Sequence, residues 1–274
     1  MLILNCTKAA ADFFSRQINA KKISPLQPAP QQTIAESIAE TPADGPRQWH
    51  WLVHCINVKG KKVLIAMDFA SRFSITLSAI SKGDDGTFLN NLELHLIVHI
   101  TAMLSAVDAD PQHIDSSLER YRNLHDSCAF YLRGDRSVQT HINDVAWHFR
   151  NWVDDIGYVP TEVELIDQDV FVNQLLRKRR AEKDYFYPQH EFMHHWLKHY
   201  GGYNHAQADR CIAIARDQMR GKLHARHSEL MTASDLLPLH SASVQEAAIE
   251  PDTHAAEYTG TASNVISLDA YRKR

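Results

Sequence analysis

The hydrophobic pattern of the chain changes its period near residue 85, and this change decides the fold class. Before it, three runs rich in β-branched and aromatic residues, at 49–58, 62–68 and 73–81, are separated by short turns. After it, apolar residues recur at helical spacing as far as residue 227. A chain that places its strands first and its helices afterwards is predicted to be an α+β protein.

The predicted sheet is small and antiparallel. The three runs form a meander, and residues 1–6 supply a fourth strand. Helices are predicted at 87–107, 112–132, 136–156, 162–180, 188–200 and 204–227, and the third has an unbroken apolar stripe from Val138 to Ile156 with Asp135 as its cap. We therefore expect three or four strands, from residues 1–6 and 48–81, packed against a helical layer at 87–227.

Two segments differ in composition from this single predicted domain at 1–227. Residues 19–47 hold five of the ten prolines and few apolar side chains, which predicts a mobile insertion. Residues 228–274 contain seven acidic residues and no Lys or Arg before Arg272, which predicts a disordered acidic tail. Within that tail, 264–274 is predicted to be a short segment that docks on an unidentified protein partner.

Charge and cysteine spacing bear on compartment and partners. The formal net charge is −4, and the body outside the tail is formally neutral, whereas a nucleic-acid-binding or membrane-surface body usually has a basic excess. The four cysteines lie 49 or more residues apart, which favours reduced thiols in a cytosol. The N-terminus has no basic segment typical of a signal peptide, and Glu93 lies in the most apolar stretch, so we expect no membrane partner.

One short motif is typical of zinc peptidases. His190, Glu191 and His194 match H-E-x-x-H, in which two histidines one helical turn apart bind zinc and the glutamate takes a proton from a metal-bound water. Pro188 lies just before the motif, and Tyr200 occupies the position where one peptidase class has its third ligand. The alternative is a His-rich helix, since seven of the 17 histidines lie between 190 and 227.

The start of the third helix is the second candidate site. Ser137, His141 and Asp144 share one polar face, and Arg133 and Arg136 stand beside the free N–H groups of the helix start. Arginines at this place favour binding of a phosphate or carboxylate. The alternative is a capped helix with a solvated polar face.

Two basic segments are candidates for contact with nucleic acid. They are Arg177–Arg180 and the helix positions Arg216 and Arg220. Neither is interleaved with aromatic residues suited to base stacking, so this function remains an alternative.

Several motifs together resemble a bacterial domain family of unknown function. They are Cys6-Thr7-Lys8 after the first strand, Lys61-Lys62-Val63 in a hairpin, and Arg136-Ser137-Val138 followed by Asn143-Asp144. The resemblance covers roughly residues 1–200 and implies an α+β domain of the bacterial cytosol without a named activity. If the shared polar residues meet, one ligand site joins Lys8, Arg133, Arg136, Ser137, His141, Asn143 and Asp144.

The sequence thus favours a non-enzymatic regulatory or interaction protein with no assigned cofactor. The alternatives are a zinc-dependent hydrolase acting through His190, Glu191 and His194, and a nucleic-acid-binding accessory protein.

Overall fold

The computed structural model describes residues 1–39, 48–161, 163–179 and 182–235. Its strands are β1 (Leu2–Cys6), β2 (Arg16–Ile18), β3 (Lys21–Ile23), β4 (Leu26–Gln27), β5 (Trp49–Val58), β6 (Lys61–Asp68), β7 (Ser74–Leu77) and β8 (Cys128–Leu132). Its helices are α1 (Lys8–Phe14), α2 (Ile34–Ala39), α3 (Asp85–Ala106), α4 (Pro111–Leu124), α5 (Arg136–Ile156), α6 (Val163–Asn173), α7 (Pro188–Trp196) and α8 (His205–Asp235), with a π-helical turn at Leu197–Gly201.

Six strands form one mixed sheet in the order β4-β8-β1-β5-β6-β7. The predicted meander is confirmed, because β5, β6 and β7 pair antiparallel. The prediction of a wholly antiparallel sheet is wrong, because β1 pairs parallel with both β5 and β8, and β4 pairs parallel with β8. The hairpin of β2 and β3 forms a separate two-stranded sheet.

The unpredicted strand β8 explains the difference. Residues 112–132 were expected to form one helix, but α4 ends at Leu124 and β8 begins at Cys128. The run Cys-Ala-Phe-Tyr-Leu is apolar enough for either structure, and pairing with β1 stabilises the extended form. The pairing of β8 with β1 makes β1 an interior strand of the sheet. The local hydrophobic pattern of the sequence does not indicate such a long-range pairing.

Successive side chains of the central strands point to opposite faces of the sheet, and both faces are buried. Trp51 and Leu64 belong to a core that includes side chains of α1, α3, α4 and α7. Leu52 and Val63 belong to a second core formed with α5 and α6. Helices therefore cover both faces, and the expectation of a single helical layer is wrong.

The outer edge of the sheet is closed by side chains of α6. Asn173 Oδ1 accepts a hydrogen bond from the Ser74 N–H at 2.8 Å, and Asn173 Nδ2 donates to the Ser74 carbonyl at 2.8 Å. One turn earlier, both Asp169 carboxylate oxygens accept from the Thr76 N–H at 3.0 Å. These contacts satisfy backbone groups of β7 that an edge strand would expose, and they fix the end of α6.

The other predicted helix bounds fit with two exceptions, α6 and α8, and α8 runs to Asp235, into the predicted disordered tail, rather than ending at residue 227. Helix α5 spans residues 136–156 as predicted, whereas α6 ends at Asn173 rather than at residue 180. Beyond it, Arg177 pairs with Phe186 through two backbone hydrogen bonds of 2.9 Å. The chain is therefore extended where the sequence predicted the last helical turns.

The chain divides into two compact units, residues 1–216 and 217–274. In the second unit the described residues, 217–235, are helical, and Arg220 lies 3.7 Å from Asp217. The predicted insertion contains β3, β4 and α2 in its described part, while 40–47, the tail beyond 235 and the predicted docking segment 264–274 lie outside the described residues. No described helix combines the length and hydrophobicity that a membrane span requires.

Candidate functional site

The N-terminus of α5 is built around Asp135. Its carboxylate accepts a hydrogen bond from the Val138 N–H at 2.9 Å and so caps the helix. The apolar stripe of α5 packs on the sheet. Ser137 stands exposed in the first turn, while His141, one turn later, is buried.

The turn between β6 and β7 brings Arg72 to this helix start. Asp68 fixes the turn, because its carboxylate accepts hydrogen bonds from Trp49 Nε1 at 2.9 Å and from the Ser71 N–H at 2.8 Å. Arg72 has a φ of 62°, in the left-handed region that costs a non-glycine residue on the order of 1 kcal/mol. Its guanidinium donates from Nη2 to Ser137 Oγ at 3.3 Å and from Nη1 to the Phe69 carbonyl.

Two more arginines reach the same place from the extended segment after α6. Arg177 is 6% exposed and donates to the backbone carbonyls of His141 at 3.1 Å and Val172 at 3.4 Å. Arg179 donates from Nη2 to the Ala70 carbonyl, in the same turn as Arg72, at 2.6 Å. We call Arg72, Arg177 and Arg179 the arginine cluster.

Electrostatics show that these guanidiniums act on one another. Burial lowers the pKa of Arg72, the neighbouring charge of Arg179 lowers it further, and the carboxylates of Asp135, Asp68 and Glu182 oppose this shift. Burial lowers the pKa of Arg177 to about 10; Asp144 opposes this shift and Arg72 adds to it. Burial and then the three arginines lower the pKa of His141 to about 4, so this imidazole is neutral near pH 7.

The positive charge of the cluster is only partly balanced. Among the described residues, the carboxylates within 4.0 Å of the cluster are Glu182, at 2.7 Å, and Glu191, at 3.5 Å, and both contact Arg179. Arg72 and Arg177 bond to neutral oxygens, and the Nε atom of each is buried without a hydrogen-bond partner. Buried guanidinium groups usually have a counter-charge, because an uncompensated one costs several kcal/mol, on the order of 3.

The predicted ligand residues are divided among different surroundings. Ser137, His141 and Asp144 lie on the flank of α5 that meets the cluster, and Asp144 Oδ2 is 3.9 Å from His141 Nδ1. Arg136 and Asn143 line a shallow concavity of about 560 Å³, together with Gly134, Asp135, Gln139 and Thr140.

Two other predicted ligand residues lie elsewhere. Arg133 donates to Asn5 Oδ1 at 2.8 Å and to the Gln32 carbonyl at 3.0 Å, at the ends of β1 and β8. Lys8 is exposed on α1, a helix that packs on the face of the sheet opposite to α5. The structure therefore brings part of the predicted set together and leaves Lys8 and Arg133 away from it.

The sequence analysis missed Arg72 as a site residue and treated Arg177 as part of a surface basic run. One signal was present in the sequence, because Arg72 is the only charged residue between two apolar strand runs after Asp68. Its meeting with Arg177 depends on tertiary contacts that the sequence pattern does not contain.

The three residues of the H-E-x-x-H motif lie in different surroundings. His190 is 3% exposed and lies against the Tyr187 ring, whereas Glu191 faces Arg179. His194 Nε2 lies 3.5 Å from Asp209 Oδ1. Within the described parts of the chain, no group of three or more His, Cys, Asp or Glu side chains is placed to hold a metal ion.

The described residues of the first basic segment, Arg177–Arg180, are largely engaged in contacts within the domain, whereas Arg216 and Arg220 are exposed. Arg177 is buried, Arg179 is engaged by two glutamates, and Lys178 lies 5.3 Å from the Tyr185 ring. Arg180 lies outside the described residues. A track of exposed cations for a phosphate backbone is therefore not formed by Arg177–Arg179.

Comparison with known proteins gives one result. No curated protein and no solved structure matches the chain. The model of a family described as a domain of unknown function, DUF6933, matches residues 3–191, which include β1 to β8, α5, α6 and the whole arginine cluster. This chain belongs to that family, as the resemblance drawn from its motifs predicted.

Proposed function

We propose that the domain binds an oxyanion, a phosphate or phosphoryl group, at the arginine cluster, and that it works as a non-enzymatic regulatory or interaction protein. One observation carries the proposal: Arg72 and Arg177 are buried, bond only to neutral oxygens, and each has an unpartnered Nε–H. A bound oxyanion would supply acceptors for these N–H groups and a negative charge in direct contact with the guanidiniums, beyond the more distant carboxylates of Asp68, Asp135 and Asp144.

The local structure supports this function in two further ways. Arg72 is held in a left-handed conformation by the network of Asp68, so the backbone of the turn is prepared before a ligand arrives. The first turn of α5 adds the positive end of a helix dipole and the exposed hydroxyl of Ser137. The accessible edge of the site is formed by Ser137 and the partly exposed Arg179.

The proposal includes a cytoplasmic location in a bacterium and a protein partner bound through residues 264–274. Support for the compartment comes from the four cysteines, all of which carry free thiols. Deleting 255–274 and testing for loss of a co-purified protein examines the tail separately from the anion site.

Isothermal titration calorimetry with inorganic phosphate tests the binding function. We expect saturable binding of one phosphate per chain, weakened by about tenfold or more in Arg72→Met and in Arg177→Met, since each removes a charge-assisted hydrogen bond. Arg136→Gln is the matched control, because Arg136 is an exposed arginine in the same first turn of α5 but on the face that lines the concavity rather than the face that meets the cluster. Absence of binding by the wild-type chain, or equal weakening by Arg136→Gln, would refute the proposal.

A further inference from the structure

We propose that Ser137 is a phosphorylation site and that its phosphoryl group occupies the arginine cluster. This inference rests on the proposed function, because it identifies an oxyanion that the chain carries on its own helix. The cluster would then alternate between a state open to free phosphate and a state filled by the modified serine.

Ser137 is exposed to solvent and at the same time contacts a buried, positively charged side chain. Ser137 lies in the first turn of the 21-residue helix α5. Its Oγ is 3.3 Å from Nη2 of Arg72, a residue that is only 4% exposed. A phosphoryl group on that oxygen would extend acceptors toward a guanidinium whose Nε has no hydrogen-bond partner. A phosphoserine at a helix N-terminus beside arginines gains charge-assisted hydrogen bonds and a favourable dipole interaction.

Two other helical serines, Ser116 and Ser117, do not combine these features. Ser116 is also exposed on a helix, but its hydroxyl donates to the Gln112 carbonyl of the same helix. Ser117 is buried, and its hydroxyl accepts from Trp196 Nε1 at 3.0 Å. Ser137 is preceded by the exposed Arg136, which offers a basic recognition element to a kinase with an acidic substrate groove.

The modification is an ordinary phosphoryl transfer. A serine kinase moves the γ-phosphoryl group of a nucleoside triphosphate to Ser137, so that the Oγ–P bond forms and the bond from phosphorus to the β,γ-bridging oxygen breaks. The nucleoside diphosphate leaves with that oxygen, and the hydroxyl proton passes to the base of the kinase. A phosphatase reverses the state with water, releasing inorganic phosphate.

Two experiments test the inference. The first is phosphopeptide mapping of the full-length protein purified from its native cells, which is expected to find phosphate on Ser137; its absence under all growth conditions would overturn the inference. The second installs phosphoserine at position 137 by an orthogonal tRNA and, as a matched control, at position 116. We expect phosphoserine at 137 to show a lower second pKa in a ³¹P NMR titration than phosphoserine at 116, and to weaken phosphate binding by about tenfold or more.

The outcomes separate this inference from the proposed function. If the unmodified chain binds phosphate but phosphoserine at 137 titrates like phosphoserine at 116, the inference fails and the binding function stands. If the unmodified chain binds no phosphate while phosphoserine at 137 has a lowered pKa and native cells carry the modification, the binding function fails and the inference stands.

Discussion

Replacing Asn173 by Ala removes the amide that closes the outer edge of β7. This side chain is fully buried, accepts from the Ser74 N–H at 2.8 Å and donates to the Ser74 carbonyl at 2.8 Å. The variant leaves both backbone groups buried without partners, and each such group costs about 1–3 kcal/mol. We expect the free energy of unfolding to fall by about 3 kcal/mol, a large fraction of the stability of an ordinary domain.

Urea unfolding followed by tryptophan fluorescence measures this loss. The matched control is Asn143→Ala, because Asn143 is exposed and its amide oxygen accepts only from Gln139 Nε2, at 3.0 Å, in the same helix. The control should change the free energy of unfolding by less than about 0.5 kcal/mol. A loss below about 1 kcal/mol for Asn173→Ala would show that water or local relaxation satisfies the backbone groups of β7, so that the amide of Asn173 is not needed to close this edge.

Three further predictions follow from the same contacts. Burial lowers the pKa of His50, His141 and His190 to about 4, so these side chains take up protons when the chain unfolds below about pH 6.5. The free energy of unfolding should therefore fall as the pH drops from about 6.5 towards 4. Equal urea midpoints at about pH 7.5 and about pH 5 would contradict this. Glu182→Gln removes the 2.7 Å ion pair with Arg179 and should tighten phosphate binding about threefold in calorimetry. The control is Glu119→Gln, at an exposed glutamate. Unchanged affinity would show that Glu182 does not compete with phosphate for Arg179. Elemental analysis by mass spectrometry should find well under one zinc per chain, equally in wild type, His190→Ala and His194→Ala. Near one zinc in the wild type, lost in both variants, would contradict this and support the hydrolase hypothesis.

Periodicity predicted the elements whose apolar pattern is long and regular. Helix α5 was predicted with its bounds, because its apolar stripe and the Asp135 cap are both local signals. The meander of β5, β6 and β7 was also predicted, since short turns join its strands. Strand β8 was missed because its five residues become a strand only by pairing with β1, which lies more than 120 residues away.

The candidate site was predicted in part for the same reason. Ser137 and His141 lie on a helix face that sequence spacing defines, and the structure places that face against the cluster. Arg72 and Arg177 come from separate elements, and only tertiary packing shows that both are buried beside α5. The H-E-x-x-H match concerned three residues within five consecutive positions, whereas a metal centre also needs a third ligand from elsewhere in the fold.

The most direct test of the anion site is an NMR titration of the arginine Nε–H groups with inorganic phosphate. The Nε–H resonances of Arg72 and Arg177 are assigned by their disappearance in Arg72→Lys and Arg177→Lys. They report on the two buried donors of the arginine cluster that have no hydrogen-bond partner. The account predicts that both shift saturably with one dissociation constant while the exposed Arg136 does not follow them. Unmoved Arg72 and Arg177 resonances at phosphate concentrations that shift Arg136 would contradict it.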